Sequence, residues 1–420
     1  MIIEPKLSIN TKQITACVIG TIFEWYDIAL FGALTPYLSR VFFPNQNSAL
    51  SLLFTLLIFT SGFMIRPIGA IIFGHLGDRY GRRSTLVFTF ITMSLSTVSI
   101  GCLPSYDSIG YISSLILLLI RLLQGLAVSG EHSGTITYLY EIDKSNKQGF
   151  LTSLSYSGVM IGTLFATLTN FLLNCLFSYN EILNWAWRIP FIFSIVLCLV
   201  GIYFRKISSE SLTFESLLIN RLILRYPLKK TIENYKYPLL SSILILAISY
   251  VIFYTIIIFI PIYLVQINKI SELSSSLITS IDLIIMASIT PVVGYLSDKI
   301  GHTALMKISV IGFLIFSYPL FALIHGGNIK YTFGILITFS ILNSLYLGPS
   351  GKLLIDAFEP NVRYTAVSIV FNITAAIFGG TAPLFLHLIE RSNLNVDLPL
   401  MYTSVLALIS YFIIYNKTSD

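Results

Sequence analysis

Gly74-His-Leu-Gly-Asp78-Arg-Tyr-Gly81-Arg-Arg83 and Gly294-Tyr-Leu-Ser-Asp298-Lys-Ile-Gly301-His-Thr303 share Gly, Leu, Asp, a basic residue and Gly at a constant offset of 220 residues. A single copy reads as a tight polar connection, since glycines permit a sharp turn and Asp complements a positive helix N-terminus. Two copies at one offset read as a duplication, so the chain is expected to consist of two similar halves. Outward from each copy, charge disappears. Val41 to Ile65, Ser84 to Tyr106, Gln148 to Asn180, Tyr237 to Asn268, Ile308 to Ile329, Tyr331 to Gly351, Tyr364 to Ile389 and Leu398 to Asn416 contain no Asp, Glu, Lys or Arg.

The whole chain obeys the same pattern. Of 420 residues, 55% are apolar and 11% charged, with a mean hydropathy of +0.82. A soluble domain carries about 25% charged residues, so this chain cannot coat a water-facing surface of its size. Its surplus apolar area must face lipid. A hydrocarbon core of ~30 Å takes about 20 helical residues. The apolar windows then predict twelve spans, at 14–38, 49–73, 84–103, 111–140, 150–176, 187–204, 238–265, 273–296, 304–324, 331–355, 364–389 and 398–415. No alternating strand pattern is present, so the expected fold is an all-α integral membrane protein of two pseudo-symmetric six-helix bundles. The expected organisation is an N-terminal bundle (1–204), a polar linker (205–237) and a C-terminal bundle (238–420).

Basic residues set the expected orientation. With the N-terminus inside, 19 of the 26 Lys and Arg residues fall in inside segments, five in outside segments, and Arg66 and Arg121 within spans. Positive segments stay inside, so both termini are expected in the cytoplasm, with no cleavable signal peptide and no nucleic-acid surface behind the net charge of +6. Cys17, Cys102, Cys175 and Cys198 lie in apolar segments without CxxC spacing and are expected to be buried free thiols. His132 neighbours Glu131, but the five histidines show no ligand spacing, and no phosphate loop, dinucleotide fingerprint or nucleophile motif occurs. The expectation is a non-enzyme without cofactor or metal.

Gly74 to Arg83 resembles the loop 2–3 signature of the major facilitator superfamily. Phe23-Glu-Trp-Tyr-Asp27, Arg66-Pro-Ile-Gly69, Gln124-Gly125 with Gly130-Glu131, Trp187-Arg-Ile-Pro190 and Arg363-Tyr-Thr-Ala with Phe371-Asn372 resemble, more narrowly, its metabolite:proton symporter family. That family includes proline/betaine, α-ketoglutarate, citrate and shikimate carriers, and Pro104-Ser-Tyr-Asp-Ser-Ile-Gly110 is similar to the proline/betaine members. The resemblance implies twelve helices, alternating access, substrate–proton symport in a bacterial inner membrane, and function as a monomer. It also implies that loops around Gly74, Asp78, Arg79, Gly81, Arg82 and Asp298, with Arg363, gate the protein. Two departures stand out. His302-Thr303 replaces the basic residues often found in the second loop, and the sequence stops at Asp420 without the coiled-coil tail of osmosensing members, so tail-dependent osmosensing is not expected.

Ionisable groups at mid-membrane cost at least a few kcal/mol and point to function. The candidates for proton coupling or substrate binding are Glu24, Asp27, Arg66, Arg121, Glu131 and Asp282. A rise of 1.5 Å per residue places Glu24 and Glu131 at ~15 Å and Arg66 at ~11 Å from the inner side. Glu24, Asp27 or Glu131 is expected to take the proton. Arg66 then acts as counter-ion or carboxylate anchor, against the alternative of a permanent structural ion pair. Arg121 is read as a vestibule charge or an anchor, and Asp282 as a cavity residue without a family match. Trp25, Tyr26, Tyr250, Phe253 and Tyr254 are candidates for a cage around an ammonium group, or for packing and interfacial residues. Gln124, Asn343, Tyr346 and Asn372 are candidate polar cavity residues. Gly62/Gly69, Gly130/Gly134 and Gly158/Gly162 read as helix-packing seams. The expected cargo is a small zwitterion of the proline or glycine betaine type, with a mono- or dicarboxylate, an uncoupled uniporter or exchanger, and a transport-like receptor as alternatives.

Overall fold

The computed structural model describes residues 11–44, 47–142, 146–207, 209–266, 270–325, 329–379 and 397–416, and no strand occurs among them. Lys6, Lys144, Lys269, Arg391 and Lys417, used above for orientation, lie outside these residues. The long helices are α1 (Thr11–Phe42), α2 (Ser48–Met64), α3 (Arg66–Tyr80), α4 (Arg82–Cys102), α5 (Tyr111–Glu141), α6 (Gln148–Leu176), α7 (Arg188–Ile207), α8 (Lys236–Tyr254), α9 (Ile260–Gln266), α10 (Glu272–Ile300), α11 (His302–His325), α12 (Ile329–Asp356), α13 (Arg363–Thr374) and α14 (Asp397–Asn416). Among the described residues, eight helices are long and apolar enough to span a membrane, with α2 and α3 counting as one span, Leu50–Tyr80. A pair bent by 49° at Trp187 makes a ninth where it is counted as one span, and His302–Ser317, Arg363–Gly379 and Ser404–Tyr415 are shorter apolar stretches.

Several helices run past the windows read from hydropathy. α1, with 32 residues, is ~48 Å long, longer than a ~30 Å hydrocarbon core, because helical hydrogen bonding continues into polar surroundings. The largest revision concerns the quoted decapeptides. Gly74 to Tyr80 is the last two turns of α3 and Arg82 starts α4, so the connection is Gly81 alone, at φ +111°, ψ +149°. Gly301 connects α10 to α11 in the same way, at φ +106°, ψ +139°. Both positions need a positive φ that a side chain disfavours, which is why one glycine suffices for each turn.

By contact the chain forms two compact units. The first gathers the residues up to Ile142 with Gly158–Leu228 and Pro360–Asn372, and the second gathers Asp143–Ser157, Lys229–Glu359 and the residues from Ile373 onward. In the first, α4 packs along α5 and α7, and α1 along α7. Its core includes Leu30, Phe31, Phe42, Ile100, Trp187 and Phe191. In the second, α12 packs against α10 and α11, over a core of Ile248, Ile252, Met306, Val310, Phe313 and Phe339. Helices in lipid gain little from hydrophobic burial against one another, so small residues set their approach. Gly158 lies 3.2 Å from Thr21 of α1, measured from where a Cβ would sit, and Gly69 lies 2.6 Å from the Leu126 carbonyl of α5. Cys17 and Cys198 are buried, whereas Cys102 and Cys175 are exposed. The expectation of four buried thiols therefore fails for two, because an apolar helix presents one side to lipid and a thiol is accommodated there as readily as a methyl group.

Candidate functional site

At the Gly81 end of the first unit, Asp78 receives two backbone donors from the start of α13, Tyr364 N–H at 3.1 Å to Oδ1 and Thr365 N–H at 2.8 Å to Oδ2. The carboxylate thus caps orphan amides where the helix dipole is positive. Arg82, fully buried, lies 3.2 Å from Asp78 and donates through Nε to Glu141 at 3.0 Å, through Nη1 to the Gly77 carbonyl at 2.9 Å and through Nη2 to the Pro360 carbonyl at 2.8 Å. Arg363 pairs with the other oxygen of Glu141 at 3.2 Å. Two acids and two arginines therefore alternate in one series, Asp78, Arg82, Glu141 and Arg363. Tyr364 packs between Gly77 and Gly134 and donates to the Gly130 carbonyl at 2.7 Å. Further along α13, Ser368 bonds Ser133 at 2.8 Å and Asn372 donates to the Ser129 carbonyl at 2.7 Å.

The linker closes this network from the side. Glu210 accepts from the amides of Arg82 and Arg83, both at 3.1 Å, Ser211 donates to Glu141 at 2.7 Å, and Tyr138 donates to the Ser209 carbonyl at 2.7 Å. Burial pushes the Glu210 carboxyl above its usual range, against the lowering effect of the Ser211 and Arg83 amides. Arg79, one residue past Asp78, takes no part in this network and stacks on Tyr80 at 5.2 Å.

The second unit repeats the geometry. Asp298 accepts from Gly149 N–H at 2.8 Å and Phe150 N–H at 2.9 Å, the first turn of α6, with Lys352 at 3.9 Å. Gly294, the equivalent of Gly74, sits against the Gly149 carbonyl as Gly74 sits against the Thr365 backbone. The duplication visible in sequence is thus also a duplication of contacts: an Asp one turn before a positive-φ glycine grips the N-terminus of another helix.

Within the membrane-spanning part of the first unit, Asp27 accepts from Ser194 at 2.8 Å and Thr97 at 2.9 Å. Thr97 in turn accepts from Gln124 at 2.7 Å, and Gln124 accepts from Arg121. Arg121 is buried against the rings of Phe31 at 4.2 Å and Phe59 at 5.5 Å, so it neither snorkels nor reaches an open surface. Glu131, fully buried, accepts from Thr89 at 3.1 Å. Glu24 is also fully buried, and Arg66 stacks on Phe63 at 4.0 Å. His132 packs edge-on against Trp25 and Phe371, at 6.2 and 5.1 Å. α4 therefore supplies a hydroxyl to each of two acids, Thr97 to Asp27 and Thr89 to Glu131, two turns apart on one helix face.

The comparisons with known proteins agree with this architecture. The Major Facilitator Superfamily model matches residues 17–414. The chain belongs to the major facilitator superfamily. A putative proline/betaine transporter of Staphylococcus haemolyticus is 32% identical over 413 residues, 96% of this chain and 86% of that protein. The proline/betaine transporter of Escherichia coli K12 is 30% identical over 408 residues, 95% and 81% of the two chains. A glycine betaine/proline/ectoine/pipecolic acid transporter, OusA of Dickeya dadantii, is 32% identical over 411 residues, again 95% and 81%. Among solved structures, the proton:xylose symporter XylE bound to 6-bromo-6-deoxy-D-glucose superposes with a TM-score of 0.77 at 14% identity, covering 97% of this chain and 95% of that one. The human organic anion transporter MFSD10 gives 0.72 at 14%, covering 96% and 99%. These two show the shared fold. The protein is a multi-pass membrane transporter, and its relatives are transporters rather than enzymes.

Major facilitator membership frames the remaining candidates. Trp25 and Tyr26 belong to the first unit and Tyr250, Phe253 and Tyr254 to the second. Phe253 and Tyr254 pack edge-on at 5.4 Å, and a Cβ placed on Gly379 would lie 3.0 Å from the Tyr254 ring. Tyr346 donates to the Ile245 carbonyl at 2.6 Å. Asn343 accepts from Ser249 at 3.1 Å, and Asp282 from Ser340 at 3.2 Å. Sequence reading missed Glu141, Thr89, Thr97 and Glu210. Glu141 lies one residue past the predicted fourth span and looked like one more interfacial charge. Its signal was that an acid stood there among the many bases at that end of the spans.

Proposed function

We propose that the protein is a proton-coupled symporter of a small zwitterionic osmolyte, of the proline or glycine betaine type, working by alternating access in a bacterial inner membrane with both termini cytoplasmic. The observation that carries the reading is the pair of buried acids in the first unit, each held by a hydroxyl of α4 and accompanied by buried arginines. A carboxyl in such a site binds or releases a proton when conformation or substrate changes its partners. Glu131, Glu24 or Asp27 takes the proton, and Arg66 pairs with the vacated carboxylate or with the carboxylate of the substrate. The named substrates of the relatives at 30–32% identity support the zwitterion. The Asp78 and Asp298 contacts act as latches that break and re-form as access alternates. The excess of bases in segments predicted to be inside supports the orientation.

Two buried arginines also favour a second cargo, a mono- or dicarboxylate. Purified protein in proteoliposomes, given radiolabelled proline, betaine, α-ketoglutarate or shikimate with and without an inside-alkaline pH gradient, separates the readings. Accumulation of proline or betaine only under the gradient is expected. Accumulation of the carboxylates alone replaces the cargo, equilibration without gradient dependence means an uncoupled carrier, and binding without uptake means a receptor. Gradient-driven uptake that survives Glu24→Gln, Asp27→Asn and Glu131→Gln in turn would sink the assignment of the proton to these acids.

A further inference from the structure

Asp282 is held differently from Asp27, Asp78 and Asp298. It sits in the middle of α10, fully buried, with one donor, Ser340 Oγ at 3.2 Å to Oδ1. Its second oxygen, Oδ2, has no hydrogen-bond partner. Asp27 receives two hydroxyls, Asp78 two amides and Arg82, and Asp298 two amides and Lys352. Asn343, one turn beyond Ser340 on the same face of α12, is fully buried too, with Oδ1 taken by Ser249 of α8 and Nδ2 without an acceptor.

Among the described side chains, the charged groups on α10 and α12 lie far along the helices from Asp282 and Ser340. On α10, Tyr295, Asp298 and Lys299 are 13 to 17 residues away, ~20–26 Å at 1.5 Å per residue. On α12, Lys352 and Asp356 are ~18 and ~24 Å from Ser340 along the helix, and Tyr346, ~9 Å along, spends its hydroxyl on Ile245. α11 brings His302 and Lys307, which lie at its Gly301 end, and the start of α6 brings Tyr156, whose hydroxyl meets Ser350. Glu272 and Lys330, whose side chains lie outside the described set, are each ten residues from Asp282 and Ser340, ~15 Å along their helices. No cation stands close by among the described side chains.

Magnitudes decide between the two states of such a carboxyl. An ionised group out of water and without a counter-charge costs several kcal/mol even after relaxation. A neutral carboxyl with one unsatisfied oxygen costs less than that. We propose that Asp282 is a proton-binding site of the second unit, protonated on Oδ2 in this conformation and discharged when water reaches it between α10 and α12. The bond made is O–H on the carboxylate, the proton comes from hydronium of the aqueous phase and neutral water is left, so no other reactant is needed. Its discharge during transport rests on the symport reading above, while its protonation in the closed packing does not.

The test uses the full-length reconstituted protein and infrared difference spectroscopy. At neutral pH the wild type is expected to show the carbonyl stretch of a protonated carboxyl, shifted in D2O, and Asp282→Asn is expected to lose that band, whereas Asp27→Asn leaves it. A spectrum unchanged by Asp282→Asn overturns the proposal. Asparagine mimics the neutral acid, so the variant is expected to melt in detergent close to the wild type, and a large loss of stability counts against a neutral group. In proteoliposomes Asp282→Asn is expected to keep substrate exchange at equal pH and lose accumulation under a pH gradient. Unaltered accumulation overturns its part in coupling. If the wild type shows no gradient-driven uptake, the symport reading fails and the infrared band alone decides the state of Asp282.

Discussion

Replacing Asp78 by alanine isolates the contact between α3 and α13. The substitution leaves the amides of Tyr364 and Thr365 without their acceptors, while Arg82 keeps Glu141 as counter-charge. A buried donor left unsatisfied costs about 1–3 kcal/mol, and loss of an N-cap side chain about 0.5–2 kcal/mol, two descriptions that overlap here. A weakening of the contact by ~2–4 kcal/mol follows, which at 1.4 kcal/mol per decade shifts a two-state equilibrium by roughly 30- to 700-fold. Asp78→Asn keeps one acceptor oxygen and should produce about half the energy. The assay is maleimide labelling of a cysteine introduced at Ser368, a buried partner of Ser133, in a background without the four native cysteines. Labelling should accelerate at least ~10-fold in Asp78→Ala and less in Asp78→Asn, turnover should fall, and substrate affinity should hold. Labelling and turnover both at wild-type values in Asp78→Ala would refute the reasoning.

Three further outcomes follow from the same region. Gly77→Ala places a Cβ 2.6 Å from the Tyr364 ring, so uptake should collapse, and Tyr364→Leu in the same chain should restore part of it if that clash is the cause. Glu141→Gln removes the charge shared by Arg82 and Arg363, and a buried pair broken on one side costs about 3–5 kcal/mol, to be seen as a lower melting temperature in detergent. Glu210 has a carboxyl raised above its usual range in the folded chain, so its contribution to stability is fully present below the unfolded value and is lost as pH rises through the folded one. Melting curves of the wild type should therefore gain stability on mild acidification, and Glu210→Gln should remove that increment.

Much of the fold was legible before any coordinate. The scarcity of charge required lipid, the apolar windows gave the spans, and the repeat at an offset of 220 identified equivalent connections. Helix ends were less legible, because hydropathy measures where lipid is tolerated and hydrogen bonding sets where a helix stops. α1 runs on to Phe42, and the α3 to α4 connection shrinks to Gly81. Among the buried groups, Glu24 and Asp27 were legible as intramembrane acids, but their partners were not. The structure gives Asp27 to Thr97 and Ser194, neither of which carries a charge that a scan for ionisable residues detects.

The sequence by itself determined that the protein lives in a membrane, that it is built as two related halves, and which few ionisable groups are buried in its spans. These follow from composition and periodicity, which local chemistry along one chain expresses in full. Only the tertiary structure decided partnership. Asp78 and the amides of Tyr364 and Thr365 are separated by more than 280 residues, Arg82 and Glu141 by 59, and Asp282 and Ser340 by 58. Whether a buried carboxylate meets two amides, an arginine or a single hydroxyl depends on which helix packs beside it. That choice sets whether the group is neutralised by donors and cations or left with a single hydroxyl.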